Sequence, residues 1–166
     1  FSDGVVKEMP GRRGKNQMWR AMHFLDSLKN EGQTNLENTF RNFFGSGRTR
    51  GLVFVLSDFL IDQRLADSFR PVSQFGHEIF GVHIISPEEE NPSFVGQVVL
   101  VDSETHEAIN ANLTGSALET YRAEFKKHLT DTERFFKRSG WGYTSIRTNV
   151  DFEASVLTSL KKEGIF

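Results

Sequence analysis

Hydrophobic positions in this chain follow two patterns, mainly apolar runs and apolar residues that recur at three- and four-residue steps. The runs at 52–56 and 78–85 contain several β-branched residues. They predict strands that are covered on both faces, as in a parallel sheet flanked by helices. Between 16 and 28, and again between 36 and 44, the apolar residues recur at helical steps. These two segments predict amphipathic helices that precede the strand at 52–56.

The connection between the two predicted strands also has a helical pattern. A helix is predicted from about 61 to 69, interrupted at Pro71 and closed near Gly76. Proline breaks the interior of a helix, and glycine is favoured just beyond its C-terminus. After the second strand, residues 87–94 are mostly polar and predict a loop.

The segment from 98 to 109 predicts a β-hairpin. Val98–Val101 and His106–Ile109 are short strand candidates, separated by a turn at 102–105. Because a turn this short cannot make a parallel crossover, the two strands are expected to pair antiparallel and to lie outside the main sheet.

A long amphipathic helix and a last strand follow the hairpin. Ser116 and Glu119 have the spacing of a capping box, which predicts the start of the helix, and Gly140 predicts its end. Residues 142–147 predict a strand, and Asp151 is a candidate N-cap for a final helix.

These elements predict a single α/β domain over residues 1–166. Helices that alternate with apolar strands are typical of a doubly wound, mostly parallel sheet flanked by helices, here with a β-hairpin insertion. The net charge of -2 gives no support for nucleic-acid binding, and the lack of cysteine excludes disulfides and thiolate metal sites. No apolar run reaches the length of a membrane span and no signal peptide is visible, so the expected location is the cytoplasm.

Polar residues at the end of the first strand are the strongest candidates for a site. Ser57 and Asp58 follow the apolar run directly, and parallel sheets bind ligands at the carboxyl ends of their strands. Gly32 and Thr34 lie in a loop before the second helix and are expected at the same edge of the sheet. A hydroxyl and a carboxylate there would form half of an oxygen-lined Mg²⁺ site. The alternative is that Ser57 and Asp58 only cap the helix that follows.

Other catalytic arrangements have weaker support in the sequence. The five histidines are dispersed and lack the spacing of helical metal ligands. His83, within the second strand, is expected to be a hydrogen-bonded core residue. A triad of Ser57, His83 and Asp58 could be drawn, but adjacent residues of a strand point to opposite faces and no G-x-S-x-G elbow is present.

The order of these motifs resembles the von Willebrand factor A domain. The matching features are a strand end at Phe1–Asp3, an amphipathic helix, G-x-T-x-L at 32–36, a second helix and a strand that ends in Ser57 and Asp58. The rest resembles more specifically the bacterial branch known as domain-of-unknown-function family fifty-eight. Its layout is matched by the GHEIFGVHII strand, the Ser-Pro-Glu-Glu that follows, the D-S-E-T-H-E hairpin turn, the long helix and the closing T-N-V-D-F segment.

The resemblance implies an incomplete metal-ion-dependent adhesion site. Von Willebrand A domains hold a divalent cation with a D-x-S-x-S loop, a threonine and an aspartate. Thr34 and Asp58 match the threonine and the aspartate, whereas the chain contains no D-x-S-x-S string. The strand that carries this string is therefore expected upstream of Phe1, or else a partner covers the gap in the sheet. Weak Mg²⁺ binding and self-association through the open strand edges are the expected consequences.

A non-catalytic protein-interaction module of bacteria is the function that the resemblance implies, with a MoxR-type AAA+ ATPase as the expected partner. The metal would bridge a carboxylate of the partner at the edge formed by Thr34 and Asp58. The alternative is a metal-dependent hydrolase or phosphatase that holds Mg²⁺ on Asp58 and needs a nucleophilic carboxylate on another strand end. A structural fragment without a site is a third possibility.

Overall fold

The computed structural model describes residues 7–11, 13–14, 17–28, 35–45, 49–61, 64–101, 107–150 and 161. Within these ranges the helices are α1 (Gln17–Asp26), α2 (Leu36–Gly45), α3 (Leu65–Ser68), α4 (Arg70–Phe75), α5 (Pro87–Glu90) and α6 (Gly115–Arg138). The strands are β1 (Leu52–Ser57), β2 (Glu78–Ile85), β3 (Gly96–Val101), β4 (Ala108–Leu113) and β5 (Gly142–Arg147). The predicted strand end at Phe1–Asp3 and the predicted cap at Asp151 lie outside the described residues.

The main sheet consists of three parallel strands in the order β1–β2–β5. The prediction that 52–56 and 78–85 form strands of a parallel sheet is confirmed, and the two strands are neighbours. Because the strands are parallel, their carboxyl ends, at Ser57, Ile85 and Arg147, lie along the same edge of the sheet.

One face of this sheet carries the main core. Residues from all three strands pack there with residues of α2, α4 and α6 in one buried cluster. Its members are Leu36, Phe40, Phe44, Val55, Phe59, Phe69, Val72, Ile79, Phe136 and Tyr143. Half of them are phenylalanine, so the high phenylalanine content of the chain serves this core.

Two glycines allow aromatic rings to lie directly on the strands. A β-carbon at Gly81 would lie 2.6 Å from the ring of Phe136, far inside van der Waals contact. A β-carbon at Gly142 would likewise overlap the ring of Phe80. Both positions therefore require glycine for the packing of their neighbours.

The opposite face of the sheet is covered less completely. A smaller buried cluster lies on β2 and β5, whereas Leu52, Phe54 and Leu56 of β1 are 44%, 43% and 51% exposed. β1 is also an edge strand of the described sheet. A doubly wound sheet is covered on both faces. Within the described ranges, this sheet is well covered on one face and only partly on the other.

The connection between β1 and β2 differs from its prediction. Two short helices, α3 and α4, meet at Phe69, where one helix over 61–69 was expected. Pro71 lies in the first turn of α4, where its missing N–H needs no partner, so it helps to begin a helix rather than interrupt one. Gly76 closes α4 in the left-handed conformation with φ of 70°, as predicted.

Two helix starts were also predicted incorrectly. Ser86 and Glu89 form a reciprocal capping box for the short helix α5, in a segment that was predicted to be a loop. The N-cap of α6 is Thr114, whose side chain accepts a hydrogen bond from the N–H of Ala117. The predicted cap, Ser116, lies in the first turn of the helix. Serine and threonine are both favoured at the N-cap, so the sequence alone did not distinguish Ser116 from Thr114.

The β-hairpin is confirmed as a separate antiparallel sheet of β3 and β4. Val98 pairs with Ala111, and Val101 pairs with Ala108. β4 begins at Ala108 and continues to Leu113, so it lies further along the chain than the predicted strand at His106–Ile109. Of the helices described, none combines the length and apolarity that crossing a membrane requires.

Candidate functional site

Asp58 lies directly after β1, at the carboxyl edge of the parallel sheet. It is exposed, and it forms no ion pair with any other described residue. β1 has a partner strand, β2, on one side only within the described sheet. The carboxylate therefore stands beside an open edge and is accessible to a ligand.

The turn after β1 is built by the side chains of Ser57 and Asp58. Ser57 Oγ accepts a hydrogen bond from the N–H of Phe59 at 3.0 Å, and Asp58 Oδ1 accepts one from the N–H of Leu60 at 3.1 Å. Serine and aspartate often form turns of this kind. The next helix begins only at Leu65 and has no side-chain cap, so the interpretation that Ser57 and Asp58 cap it is wrong.

Phe59 holds this turn in an uncommon backbone conformation. Its φ is 53°, in the left-handed region, which costs a residue other than glycine about 1–3 kcal/mol. The buried ring compensates for this strain, because its centroid lies 5.2 Å from that of His83, 5.3 Å from that of Phe136 and 6.4 Å from that of Phe69. Core packing therefore fixes the direction of the chain at Asp58.

Two hydrogen bonds and one ring contact connect the backbone of Asp58 to the core. His128 Nε2 lies 3.2 Å from the carbonyl oxygen of Asp58 and donates to it. The ring of His128 is perpendicular to that of His83, with centroids 5.4 Å apart. His83 Nδ1 in turn lies 2.9 Å from the hydroxyl oxygen of Tyr143. His83 is buried and hydrogen-bonded, as its place in the strand predicted.

Burial keeps the interior part of this cluster uncharged at neutral pH. Burial is the largest cause of the lowered pKa of His83, which is about 4, and the charge of His128 is the second cause. A hydrogen bond with the Asp58 backbone and the Asp58 charge act in the opposite direction and raise this pKa. Burial, followed by the charge of Glu133, raises the pKa of Tyr143 above its ordinary value. Nδ1 of the neutral imidazole can accept a hydrogen bond from the Tyr143 hydroxyl, so that each of these two buried atoms has a partner.

The triad of Ser57, His83 and Asp58 does not form. Ser57 and His83 are neighbours in the register of β1 and β2, but no hydrogen bond joins them in the described structure. Ser57 Oγ bonds within its own turn, and His83 Nδ1 bonds Tyr143. His83, the general base of the drawn triad, therefore does not contact this hydroxyl.

A second carboxylate near the carboxyl edge is neutralised. Glu90 accepts two hydrogen bonds from the guanidinium of Arg147, at 2.7 and 2.6 Å. The hydrogen bond from Arg147 lowers the pKa of Glu90, and this pair joins α5 to the end of β5. Glu90 is thus engaged in a bidentate pair, while Asp58 keeps one carboxylate oxygen without a hydrogen bond among the described residues.

Of the residues predicted to share a site with Asp58, only Ser57 lies among the described residues. Thr34 and Gly32 lie outside the described residues, so their proximity to Asp58 stays a prediction. The part of the chain that the structure describes contains no group of three His, Asp or Glu side chains that could hold a metal ion.

His128 is the residue of this cluster that sequence reasoning missed. It was counted among the dispersed histidines, yet it lies three residues after Phe125 and four before Thr132, both of which are buried on α6. This helical spacing places His128 on the side of α6 that contains these buried residues. Its contact with Asp58 joins residues 70 positions apart, and no local pattern predicts such a pair.

A family model described as Protein of unknown function DUF58 matches residues 1–134. The chain belongs to this family. DUF58 membership confirms the more specific of the two resemblances in the sequence, whereas it does not by itself establish a von Willebrand A-like fold.

Mycobacterial proteins are among the relatives of this DUF58 chain. An uncharacterized protein of Mycobacterium tuberculosis is 24% identical over 110 residues, which are 66% of this chain and 34% of the relative. An uncharacterized protein of Mycobacterium avium is 24% identical over 116 residues, which are 69% of this chain and 67% of the relative. The chain thus spans about a third of the length of the first relative.

A solved structure also matches this DUF58 chain at low similarity. The crystal structure of conserved hypothetical protein BatB from Bacteroides thetaiotaomicron covers 89% of this chain and 68% of its own, with 13% identity and a TM-score of 0.41. This similarity is too low to support an argument about the site.

Proposed function

We propose that this chain is a non-catalytic protein-interaction module with a von Willebrand A-like fold, which binds its partner at the carboxyl edge of the parallel sheet. The observation that carries the proposal is the state of Asp58, an exposed carboxylate that no described cation neutralises. Its turn is anchored by the buried ring of Phe59 and by the hydrogen bond from His128. A carboxylate held in this way is preorganised to bind a cation.

Mg²⁺ is the cation that suits the donors. The Asp58 carboxylate and the Thr34 hydroxyl are hard oxygen ligands, the type that Mg²⁺ prefers, but Mg²⁺ requires about six ligands in octahedral arrangement. The described residues offer no group of three ligating side chains. We therefore propose that this chain alone binds Mg²⁺ weakly and that a carboxylate of the partner completes the coordination.

The neutral interior of the cluster supports a non-catalytic role. A general base for work near neutral pH needs a pKa close to 7, whereas burial lowers the pKa of His83 to about 4. The hydroxyl of Ser57, beside Asp58, is held by its own turn. No observation favours the alternative of a metal-dependent hydrolase, which a phosphatase assay tests.

The proposed partner is a MoxR-type AAA+ ATPase in the bacterial cytoplasm, as the family resemblance implies. Purified ATPase of this type, from the organism that encodes the chain, is the probe for the interaction. Isothermal titration in Mg²⁺ and in EDTA tests whether binding occurs and whether it depends on the metal.

Asp58→Ala is expected to weaken this Mg²⁺-dependent binding by about 10- to 100-fold, because hydrogen bonds and ligation by a charged group contribute about 1.5–3 kcal/mol. Asp67→Ala is the matched control, since Asp67 is a half-exposed aspartate paired with Arg64 on α3. Unchanged affinity of Asp58→Ala in Mg²⁺ contradicts the role of Asp58. Mg²⁺-dependent hydrolysis of p-nitrophenyl phosphate that Asp58→Ala removes contradicts the non-catalytic assignment.

A further inference from the structure

The peptide group between Asp58 and Phe59 is held at both of its ends. Its N–H, which belongs to Phe59, donates a hydrogen bond to Ser57 Oγ at 3.0 Å. Its carbonyl oxygen, which belongs to Asp58, accepts a hydrogen bond from His128 Nε2 of α6 at 3.2 Å. Because a peptide group is planar and rigid, the two hydrogen bonds together restrain its rotation about the chain.

This peptide group is in the less favoured of its two orientations. The φ of Phe59 is 53°, in the left-handed region, where a β-carbon crowds the following carbonyl oxygen. Rotation of the peptide group by half a turn brings this φ to a negative value and breaks both hydrogen bonds. The observed orientation is therefore maintained by its partners against the backbone preference of Phe59.

The direction of the Asp58 carboxylate depends on the same peptide orientation. Asp58 Oδ1 accepts a hydrogen bond from the N–H of Leu60 at 3.1 Å, across the turn. The position of this N–H relative to the carboxylate is set by the backbone angles on both sides of the Asp58–Phe59 peptide. The turn therefore restrains one carboxylate oxygen, while the other has no hydrogen bond among the described residues.

His128 reaches the turn from a fixed place on α6. Phe125 and Thr132, one helical turn before and one after it on the same side of the helix, are buried. The ring of His128 also lies against that of buried His83, with centroids 5.4 Å apart. The helix is thus packed before and after His128, which holds the donor next to the carbonyl oxygen of Asp58.

We propose that His128 is a positioning residue of the carboxyl-edge site, because its hydrogen bond locks the Asp58–Phe59 peptide and so orients the Asp58 carboxylate for cation binding. The inference rests on the proposed function, in which Asp58 binds Mg²⁺. It adds that the affinity of the site is set in part by α6, a helix distant in sequence. Without the donor of His128, the dissociation constant for Mg²⁺ is expected to rise about 3- to 10-fold, the usual effect of one hydrogen bond.

Two variants of similar size separate the hydrogen bond from the packing of the side chain. His128→Met and His128→Gln both remove the imidazole and have similar helix propensities, whereas only glutamine can donate to the carbonyl oxygen. The dissociation constant is expected to rise in His128→Met and to return close to the wild-type value in His128→Gln. Lys126→Met and Lys126→Gln, at an exposed position of α6, are the control pair and are expected to agree with each other.

Nuclear magnetic resonance of the whole chain, at one pH, measures both the peptide orientation and the affinity. In the metal-free protein, a strong nuclear Overhauser effect between the amide proton and the α-proton of Phe59 reports its positive φ. This signal is expected in the wild type and in His128→Gln, and it is expected to weaken in His128→Met. Titration with MgCl₂, followed at the amide signals from Ser57 to Leu60, gives the dissociation constants. Circular dichroism verifies folding, and His128→Ala is a second variant without the donor.

Two outcomes overturn the proposal. The first is a Phe59 signal of wild-type strength in both variants without the donor. That result assigns the peptide orientation to Ser57 or to His83, whose ring also faces the Asp58 backbone. The second is a dissociation constant that does not differ between His128→Met and His128→Gln, which leaves His128 a packing role only. Failure of the proposed function is distinguishable, because MgCl₂ then leaves the wild-type amide signals of the turn unchanged while the Phe59 signal still responds to the donor.

Discussion

Replacement of Phe136 by alanine is expected to lower the free energy of unfolding by about 3–5 kcal/mol. Phe136 is fully buried, and its ring centroid lies between 5.3 and 5.5 Å from those of Phe59, Phe69 and Tyr143. The truncation therefore leaves a cavity between α6 and the sheet. Since domains are typically stable by about 5–15 kcal/mol, this loss removes a large part of the total. Urea denaturation followed by circular dichroism measures it.

Phe94→Ala is the control for this truncation, because Phe94 is 62% exposed. Its effect on the free energy of unfolding is expected within about 0.5 kcal/mol of zero. Equal losses for the two variants contradict the assignment of Phe136 to the core.

The contact of Phe136 with Gly81 offers a second, independent measurement. Gly81→Ala alone is expected to destabilise the protein, because its β-carbon would lie 2.6 Å from the Phe136 ring. In the Phe136→Ala background the same methyl group enters the space that the ring leaves. A double-mutant cycle is therefore expected to show a favourable coupling of about 0.5–3 kcal/mol. Additive effects contradict the close packing of α6 on β2.

Acidification from about pH 6.5 to about pH 4 is expected to destabilise the protein through His83. Burial is the main reason why the pKa of His83 falls from its ordinary value of 6.5 to about 4 in the folded protein. Between these values the unfolded chain binds a proton that the folded chain does not, so stability falls as pH decreases. The loss is on the order of 3 kcal/mol once pH is below the folded value.

His83→Gln isolates this contribution, because glutamine can still accept a hydrogen bond from Tyr143 but does not titrate. Carboxylates titrate in both proteins, so their effect cancels when the pH dependence of the unfolding free energy is compared. The groups that face His83 are His128, the Asp58 backbone and charge, and the Tyr143 hydroxyl. The variant is expected to lose less stability than the wild type between pH 6.5 and 4. Parallel curves contradict a buried neutral His83.

Periodicity and glycine signals determined much of the fold without tertiary information. The runs at 52–56 and 78–85 specified two parallel strands. The expected cover on both faces holds for β2, whereas β1 is covered mainly on one face. The hairpin followed from two strand-like segments with a short connection. Gly76 and Gly140, both at positive φ, marked helix ends because only glycine adopts this conformation without strain.

Caps and turns were less predictable because one residue type suits several local structures. Serine and aspartate are favoured at N-caps and in side-chain turns alike, so the pattern of Ser57 and Asp58 fits both. The structure decided for a turn, since the buried ring of Phe59 holds the chain in a conformation that no helix start has. The same ambiguity placed the cap of α6 at Ser116 instead of Thr114.

The sequence by itself determined the parallel strands and the longer helices, and that Asp58 lies at the carboxyl end of an apolar strand. The tertiary structure alone decided that His128 contacts the backbone of Asp58 and that His83 meets Tyr143. The reason is physical. Strand and helix signals arise between neighbours in the chain, whereas these contacts depend on how α6 packs across the sheet, which many distant residues set together.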